Sequence, residues 1–367
     1  MLNRTDSQSV PGGDTMQMIQ TKAGLEKLGV EVCIGSEVQP ETLSQFDLVH
    51  IFNWQQVGGI RANWELSNIR IPVVLSTIFW FHSGHWFDEA VKKKRLWRTS
   101  SRLLGHGKAR KIYESWQSLK FSRGSEGKVL RQNLQEVDLL LPNSALEIDH
   151  LEGILGLRGA LKPKCIVVPN GVVYHDAVLP TTGSKLDEAL ANKQFVLQAA
   201  RIQSAKNQLS LLQALIDVPV MIVFAGQPSP YELEYVETCR ILAEKRGNVI
   251  FTGQLTSDEL AGLYNAATVH ALPSFRETPG LASLEAAAAG CRVVTTSVGS
   301  AREYFGTYAW YCDPGSVKSI RKAVLQALDS PVPRGLREHV LKHYTWEEAA
   351  KTTLAGYEMV LRRHSNA

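Results

Sequence analysis

Short apolar runs alternate with amphipathic, helix-like segments along most of the chain, and this alternation constrains the fold more than any other feature. Runs such as 73–77, 195–199 and 220–225 are bounded by polar or glycine-containing turns. Strands of this kind, separated by helices, are typical of parallel sheets with helices packed on both faces. Because 367 residues are enough for about two domains, the sequence predicts an α/β protein with two parallel sheets.

The predicted elements fall into two halves, separated by a polar stretch at 179–193. In the first half we expect a helix over 15–28 and strands over 30–34, 48–52, 73–77, 137–142 and 165–168. In the second half we expect strands over 195–199, 220–225, 249–252, 268–271 and 293–296, and helices over 208–216, 232–245, 257–266, 280–289 and 317–328. A last helix is predicted over 346–362, with Thr345 and Glu348 as its capping box.

The beginning of the chain departs from this pattern. Residues 1–9 are almost entirely polar, and the turn Pro11-Gly12-Gly13 follows closely. A wound α/β domain usually opens with a buried strand that leads into its first glycine-rich turn. We therefore expect the sequence to begin inside or just after its first strand, which is either vestigial or shortened by a late start.

Composition narrows the class of protein. Hydrophobic residues make up 44% of the chain and charged residues 21%, which is typical of a globular protein. The apolar runs are shorter than the roughly 20 residues that span a bilayer, and the first residues lack the pattern of a secretion signal. Five scattered cysteines without a C-x-x-C pair argue against a disulfide framework or a zinc site. We expect a cytoplasmic protein.

Positive charge is concentrated in residues 92–131, the basic segment. It holds thirteen Lys and Arg residues and two acids, although the whole chain has a net charge of only +4. Aromatic residues from Phe79 to Phe121 precede it or are interleaved with it. This composition favours peripheral contact with an anionic membrane, here the inner face of the cytoplasmic membrane. The alternatives are a solvated face of a helical insertion and a nucleic-acid backbone, and the net acidic remainder of the chain disfavours nucleic acid.

The densest cluster of chemistry-bearing residues lies within 264–290. Thr278 is predicted to cap a helix that begins at Pro279, and Gly290 is placed to end it. The segment therefore predicts a strand, a tight loop and a helix whose first turn lies at the carboxyl end of the sheet.

Two carboxylates and two backbone amides of this segment are candidate ligand-binding groups. The amides of Gly280 and Leu281 begin the helix, where they suit an anionic or hydroxyl-rich ligand. Glu277 on the loop and Glu285 on the helix can accept hydrogen bonds from the hydroxyl groups of a sugar or a ribose.

A second cluster follows the strand predicted over 195–199. Arg201 and Lys206 lie on the loop that leads into the next helix, where they can hold a diphosphate. Glycine turns at other strand ends let the backbone approach a phosphate closely; they are Gly12-Gly13, Asn170-Gly171 and Gly253-Gln254.

Together and in this order, these motifs resemble the retaining family 4 (group 1) glycosyltransferases, which have the GT-B fold. The resemblance is specific over 170–315, weaker over 11–52 and at the C-terminal helix, and poor over 80–131. It implies two Rossmann-like domains that face each other across a cleft. The implied domains are 1–178 on the acceptor side with a basic aromatic insertion at about 80–131, 179–345 for the nucleotide-sugar, and 346–367 as a helix that crosses back to the first domain.

The resemblance also implies the roles of individual residues. Arg201 and Lys206 would bind the donor diphosphate, and Glu277 would hold the donor sugar. Glu285 would bind the ribose of the nucleotide. The remaining donor contacts would come from Gly12, Gly13, Asn170, Gly253, Gln254, Leu255, Gly280 and Leu281.

One position departs from the family pattern. Many relatives have a His-Asp pair after the strand predicted at 73–77, where this chain reads Ser76-Thr77-Ile78-Phe79. His82 and His85 lie nearby, although a histidine in an aromatic loop is more often structural.

The implied reaction is the transfer of a sugar from a nucleoside diphosphate-sugar to an acceptor hydroxyl, with retention of the anomeric configuration. Arg201 and Lys206 would supply the positive charge, so we expect no metal and no further cofactor. The basic segment suggests a lipid-linked oligosaccharide acceptor, as in bacterial surface polysaccharide biosynthesis. A catalytically silent scaffold or partner subunit that binds nucleotide is the alternative. An epimerase or a dehydrogenase is disfavoured because no G-x-G-x-x-G motif follows a first strand.

Overall fold

The computed structural model describes residues 1–3, 12–35, 45–53, 71–174, 190, 193–278 and 280–365. The chain forms two compact units. The first unit comprises Met1–Phe81, Gln117–Gly171 and Tyr344–Ala367, and the second comprises His82–Trp116 and Val172–His343.

Strands and helices alternate as the sequence predicts. The strands are β1 Val49–Phe52, β2 Val73–Ser76, β3 Leu139–Leu140, β4 Phe195–Ala199, β5 Met221–Ala225, β6 Val249–Gly253, β7 Val269–Leu272, β8 Arg292–Thr296 and β9 Trp310–Cys312. The α-helices are α1 Gly13–Lys27, α2 Phe87–Lys93, α3 Arg95–Leu104, α4 His106–Arg123, α5 Ser125–Glu136, α6 Ala145–Leu155, α7 Gln208–Ala214, α8 Leu233–Arg246, α9 Ser257–Ala266, α10 Leu281–Ala288, α11 Ala301–Phe305, α12 Val317–Asp329, α13 Leu336–His343 and α14 Trp346–Ser365.

The first unit is built on a parallel sheet in the order β1-β2-β3. All residues of these strands are buried, so their apolar side chains form a core against the helices that follow them. Leu2 lies beside β1 and forms two isolated bridges, one with Ile51 of β1 and one with Gly35. In the described residues, the position of an opening strand is therefore held by one residue rather than by a ladder.

The C-terminal helix α14 belongs to the first unit and packs against α1. The two helices touch at Gly24, where a Cβ atom would lie only 2.6 Å from the Cβ of Ala350. The buried His50 ring links α14 to the sheet, because it lies 2.6 Å from the Tyr357 hydroxyl and 2.9 Å from the Ser76 hydroxyl. The expected return of the C-terminal helix to the N-terminal part of the chain is confirmed.

The second unit contains a six-stranded parallel sheet in the order β6-β5-β4-β7-β8-β9. The chain proceeds outwards from β4 in one direction and then returns to place β7 on the other side of β4. This order is that of a complete doubly wound sheet, in which ligands bind at the carboxyl ends of the strands where the direction reverses. The switch point lies between β4 and β7.

The basic segment is helical from α2 to α5. It has a small core of its own, in which Phe87, Trp97 and Tyr113 pack edge to face or at a tilt with ring centroids 5.0–6.3 Å apart. All of its cations are exposed except Arg110, which is buried, and Arg131, which is partly buried. Its residues up to Trp116 belong to the second unit, together with His82–Val91, which precede the segment. The predicted boundaries after 178 and 345 stay a prediction.

Some predicted elements are wrong, and the sheet explains why. Residues 30–34 form no strand, because the described residues beside them make no ladder: Leu2 bridges Gly35, and Met1 exchanges hydrogen bonds with Cys33 and Gly35. The strand predicted over 165–168 is reduced to one bridge between Cys165 and Leu140. The short strand β9 and the helix α13 were not predicted. Most of the polar stretch at 179–193 lies outside the described residues.

Candidate functional site

The candidate site lies in the second unit, at the carboxyl ends of β4 and β7. Both strands are fully buried, and each ends in a loop that carries charged side chains. Arg201 and Lys206 follow β4, and Glu277 follows β7. Parallel strands place these loops at one edge of the sheet, as the sequence predicts.

The loop after β4 is fixed by side chains that lie on either side of it. Gln198, in β4, donates a hydrogen bond of 2.7 Å to the carbonyl oxygen of Lys206. Gln208, in α7, donates one of 2.9 Å to the carbonyl oxygen of Arg201. The backbone that carries both cations is therefore held in place, whereas their side chains are partly exposed.

Asn207 ties this loop to two other loops. Its backbone is left-handed, with φ of 64°, a conformation that asparagine tolerates better than most residues. Its buried side-chain amide donates hydrogen bonds of 3.0 Å to the carbonyl oxygen of Pro273, after β7, and of 2.8 Å to that of Pro314, after β9. One side chain thus connects the ends of three strands.

Lys206 and Glu277 form an ion pair at the switch point. The Lys206 Nζ lies 2.6 Å from Oε1 of Glu277. The glutamate is only 7% exposed, while the lysine side chain retains 27% of its surface. The pair therefore presents a positively charged side towards solvent and a carboxylate beneath it, which suits a ligand with both an anionic group and hydroxyl groups.

The backbone of Glu277 is held by the segment after β8. The amide of Ser300 donates a hydrogen bond of 3.1 Å to the carbonyl oxygen of Glu277. Gly299 approaches the same carbonyl so closely that a Cβ atom would lie 1.8 Å from its oxygen, and its φ is 112°. Only glycine is compatible with this contact.

Helix α10 begins beside the ion pair. Its N-cap is Gly280, with φ of 71°, and it has no side-chain cap, so the predicted cap at Thr278 is wrong; Pro279 lies outside the described residues. In the part of the chain that the structure describes, the amides of Gly280 and Leu281 donate no hydrogen bond. Their role in ligand binding stays a prediction. Gly290 follows the helix in a left-handed conformation.

Glu285 lies within α10 and is partly buried. The Tyr264 hydroxyl donates a hydrogen bond of 3.0 Å to its Oε2. Burial raises the pKa of Glu285 to about 7, although the hydrogen bond from Tyr264 acts in the opposite direction. At neutral pH this carboxyl group is therefore close to its midpoint of ionisation.

A further part of the candidate site follows β6. Gly253 is left-handed, with φ of 71°, and its carbonyl oxygen accepts a hydrogen bond of 2.9 Å from the amide of Gly226. Gln254 is exposed and accepts a hydrogen bond of 2.6 Å from Gln227, while Leu255 is partly buried. These residues lie on the outer side of β5, two strands from β4.

The predicted site residues of the first unit lie at the ends of its own elements. Gly12 is the N-cap of α1 and Gly13 is its first residue. Asn170 is buried just before Gly171, where a Cβ atom would lie 2.1 Å from the backbone nitrogen of Trp346. Their roles in donor binding stay a prediction.

The position where relatives have a His-Asp pair is structural here. The hydroxyl group of Thr77 and the amide of Phe79 both donate hydrogen bonds to Oε1 of the buried Glu147. The amide of Asn143 donates one of 2.9 Å to Oε2 of the same carboxylate. Glu147 thereby joins the ends of β2 and β3.

Sequence reasoning missed Arg276, which lies next to Glu277. It also left open the roles of His82 and His85, whose rings contact Phe275 with centroid distances of 5.9 and 6.0 Å. Burial and the nearby charge of Arg276 lower the pKa of His85 to about 3, so its ring is neutral. From the sequence alone, an arginine in a loop is expected to be solvated. The sequence therefore gave no indication that Arg276 is partly buried at the candidate site.

The described residues contain neither a candidate metal-binding cluster nor a candidate membrane-spanning helix. No group of three or more His, Cys, Asp or Glu residues there could hold a metal ion. None of the helices described is both long and apolar enough to cross a membrane.

Residues 185–345, most of the second unit, match the family model described as glycosyl transferases group 1. This part of the chain is similar to the group 1 glycosyltransferases. It contains Arg201, Lys206, Glu277 and Glu285, and its boundaries enclose the whole six-stranded sheet.

Curated relatives agree with this assignment. The chain is 29% identical over 180 residues to the serotype-specific mannosyltransferase WbdA of Escherichia coli, covering 46% of this chain and 22% of that protein. The chain is 29% identical over 246 residues to the D-inositol 3-phosphate glycosyltransferase of Mycolicibacterium smegmatis, covering 63% and 55% of the two chains. It thus spans about a fifth of the first relative and about half of the second.

Solved structures show the fold. Sucrose-phosphate synthase from Thermosynechococcus elongatus superposes with a TM-score of 0.68 at 18% identity, covering 99% of this chain and 98% of that one. The Anabaena protein HepE, in complex with UDP and glucose, gives a TM-score of 0.65 at 16% identity, covering 97% and 98%. The α/β fold with two parallel sheets is therefore the GT-B fold, as predicted.

Proposed function

We propose that this protein is a retaining glycosyltransferase that moves a sugar from a nucleoside diphosphate-sugar to an acceptor hydroxyl. The observation that carries the proposal is the pairing of Lys206 with Glu277 at the switch point, next to the loop of Arg201. Two cations and a carboxylate, held on rigid strand ends, match a ligand whose diphosphate adjoins a sugar. The presence of UDP in HepE, and the UDP-forming trehalose-phosphate synthase of Burkholderia vietnamiensis among similar structures, support a donor of this class.

The proposed chemistry depends on stabilising the leaving group. As the bond to the sugar breaks, negative charge grows on the diphosphate, and Arg201 and Lys206 would stabilise it without a metal ion. Binding of the diphosphate would draw Lys206 away from Glu277, which frees the carboxylate to accept hydrogen bonds from sugar hydroxyls. A diphosphate oxygen would accept the acceptor proton on the same face, so Glu277 positions the sugar and forms no covalent bond.

The other donor contacts follow from the geometry of the loops. Glu285 would accept hydrogen bonds from the ribose, and the amides of Gly280 and Leu281 would bind the sugar. Residues 253–255 would lie beside the base. Each of these groups is at the carboxyl edge of the same sheet.

The proposed acceptor is a lipid-linked oligosaccharide of bacterial surface polysaccharide biosynthesis, bound at the inner face of the cytoplasmic membrane. Helix α3 exposes Leu96 and Leu103, with 67% and 79% of their surface accessible, among exposed lysines and arginines. Ile112 and Trp116 of α4 are also exposed. Apolar side chains beside cations suit an anionic bilayer, and the name of WbdA, a serotype-specific mannosyltransferase, supports a surface glycan.

Replacing Lys92, Lys93, Lys94 and Arg95 by serine should release the protein from anionic liposomes. Each cation near the surface contributes about 1 kcal/mol, so the four changes should weaken binding by about a thousandfold. Co-sedimentation with phosphatidylglycerol vesicles measures this. The matched control replaces four other exposed cations of the second unit by serine, namely Lys318, Lys322, Arg334 and Lys342. If the two variants sediment equally with the vesicles, the proposed contact between the basic segment and the membrane is contradicted.

The function is tested with a panel of GDP, UDP, ADP, CMP and their sugar conjugates. A nucleotide at a hundred times its dissociation constant should stabilise the folded protein by about 2.7 kcal/mol, and one base should be preferred. Release of that nucleotide from its sugar conjugate then measures transfer. Binding without any turnover, across acceptors, would favour the silent scaffold, and the absence of any thermal shift would contradict the proposed donor site.

A further inference from the structure

Arg276 is a further cation of the candidate site. It lies between Phe275 and Glu277 and is partly buried. Among the described residues it has no hydrogen bond and no ion pair, and burial lowers its pKa from the ordinary value of arginine. A guanidinium group stays protonated in proteins, so the folded chain keeps a poorly solvated positive charge here, at a cost that a bound anion would offset.

The carboxylates nearby are already engaged with other cations. Glu277 pairs with Lys206 at 2.6 Å. Asp313 accepts a hydrogen bond of 2.9 Å from the buried Arg110, and Glu114 lies 3.4 Å from the same guanidinium group. Glu277 also attracts Arg276, but its carboxylate is held by Lys206, so Arg276 has no carboxylate of its own among the described residues.

A second unsatisfied group lies close to Arg276. The Nδ1 atom of His85 is buried and has no hydrogen-bond partner within the described ranges. Its ring, 6.0 Å from that of Phe275, rests on the loop that carries Arg276. A neutral imidazole can donate one hydrogen bond to an oxyanion, and a guanidinium group can donate two parallel ones.

We propose that Arg276, assisted by His85, binds an anionic group, a carboxylate or a phosphate, carried by a sugar substrate beside Glu277. The inference rests on the proposed function, because that function places a sugar at Glu277. Such an anion has two sources: an acidic sugar in the donor, or a phosphate on the acceptor. Both present oxygen pairs that match the planar guanidinium group.

The first measurement compares dissociation constants for matched probes. The donor arm uses UDP-glucose and UDP-glucuronate, with the base replaced by the one that the nucleotide panel selects. The acceptor arm uses glucose and glucose 6-phosphate without nucleotide. In one arm the wild-type protein should bind the anionic probe about ten to a hundred times more tightly than its neutral counterpart, and the arm that responds identifies the source.

Arg276→Gln should abolish this preference and leave the affinity for UDP unchanged within about twofold. Arg276→Lys should retain part of it, because the charge remains while the paired hydrogen bonds are lost. The control is Arg302→Gln, which removes an exposed arginine that stacks on Tyr311 in the same unit. His85→Phe should weaken binding of the anionic probe and leave binding of its neutral counterpart unchanged.

The stability of the ligand-free variant provides a further readout. Because Arg276 has no hydrogen bond or ion pair to lose among the described residues, Arg276→Gln should unfold at the same temperature as the wild type or a higher one. A lower unfolding temperature would show a structural partner and overturn the proposal. So would the absence of any preference for both anionic probes, or a loss of affinity for UDP itself as large as that for the acidic probe. If no nucleotide binds the wild type, the proposed function fails, and the glucose 6-phosphate arm still decides the role of Arg276.

Discussion

The double variant Arg201→Ala, Lys206→Ala is expected to lose at least about a thousandfold in kcat for sugar transfer. Removing one group that stabilises developing negative charge typically costs a hundredfold to a thousandfold, and here both cations are removed. Stabilisation by the preferred nucleoside diphosphate should disappear as well. Steady-state release of nucleotide and thermal unfolding with nucleotide measure the two effects.

The matched control for this variant is Arg240→Ala, Lys245→Ala, which removes two exposed cations from α8 in the same unit. It should leave both kcat and the thermal shift unchanged. Lys206→Ala alone leaves the carboxylate of Glu277 without its partner, so some stability should be lost; adding Glu277→Gln should restore it. Retention of the full nucleotide-induced shift by the double variant would contradict the proposed diphosphate site.

The substitution Gly299→Ala should lower the free energy of unfolding by about 3 kcal/mol and abolish nucleotide-sugar binding. A non-glycine residue at this backbone conformation is strained by about 1–3 kcal/mol. The new Cβ would also lie 1.8 Å from the carbonyl oxygen of Glu277, so that loop must move. Urea unfolding and isothermal calorimetry with the preferred donor check the two parts.

Gly156→Ala provides the comparison, because Gly156 is left-handed, with φ of 70° and ψ of 29°, but has no atom within 4 Å of its would-be Cβ. It should cost only about 1 kcal/mol of strain and leave donor affinity intact. If the two substitutions lower the free energy of unfolding and the donor affinity equally, backbone strain alone explains the effect, and the close contact with Glu277 does not contribute.

The second unit could be predicted from sequence because its central strands β4, β5, β7 and β8 are almost entirely buried. Continuous apolar runs such as Phe195–Ala199 and Met221–Ala225 leave little doubt about their state, and polar loops separate them. The first unit was harder. Its strand β3 has only two residues, and residues 30–34 are apolar enough for a strand but lack a neighbouring ladder. Whether such a segment becomes a strand depends on its pairing with segments distant in the sequence, and a local hydrophobicity pattern does not predict this pairing.

The residues of the candidate site that belong to sequence motifs were predictable. Glu277 and Lys206 were expected at one edge of the sheet, and they form an ion pair there. The surroundings of Arg276 were not predictable, because the sequence does not show that Glu277 pairs with Lys206 and not with its neighbour Arg276. The position of His85 against Phe275 likewise joins segments almost two hundred residues apart in the sequence.

The hydrogen bonds of Asn207 to the carbonyl oxygens of Pro273 and Pro314 have a kinetic consequence. Since one buried amide group fixes the loops after β4, β7 and β9 relative to one another, the donor groups are already ordered in the ligand-free protein. An arriving nucleotide then loses little binding energy to loop ordering. Its association rate is governed by encounter and charge attraction, and differences between donors appear in how long each one stays bound.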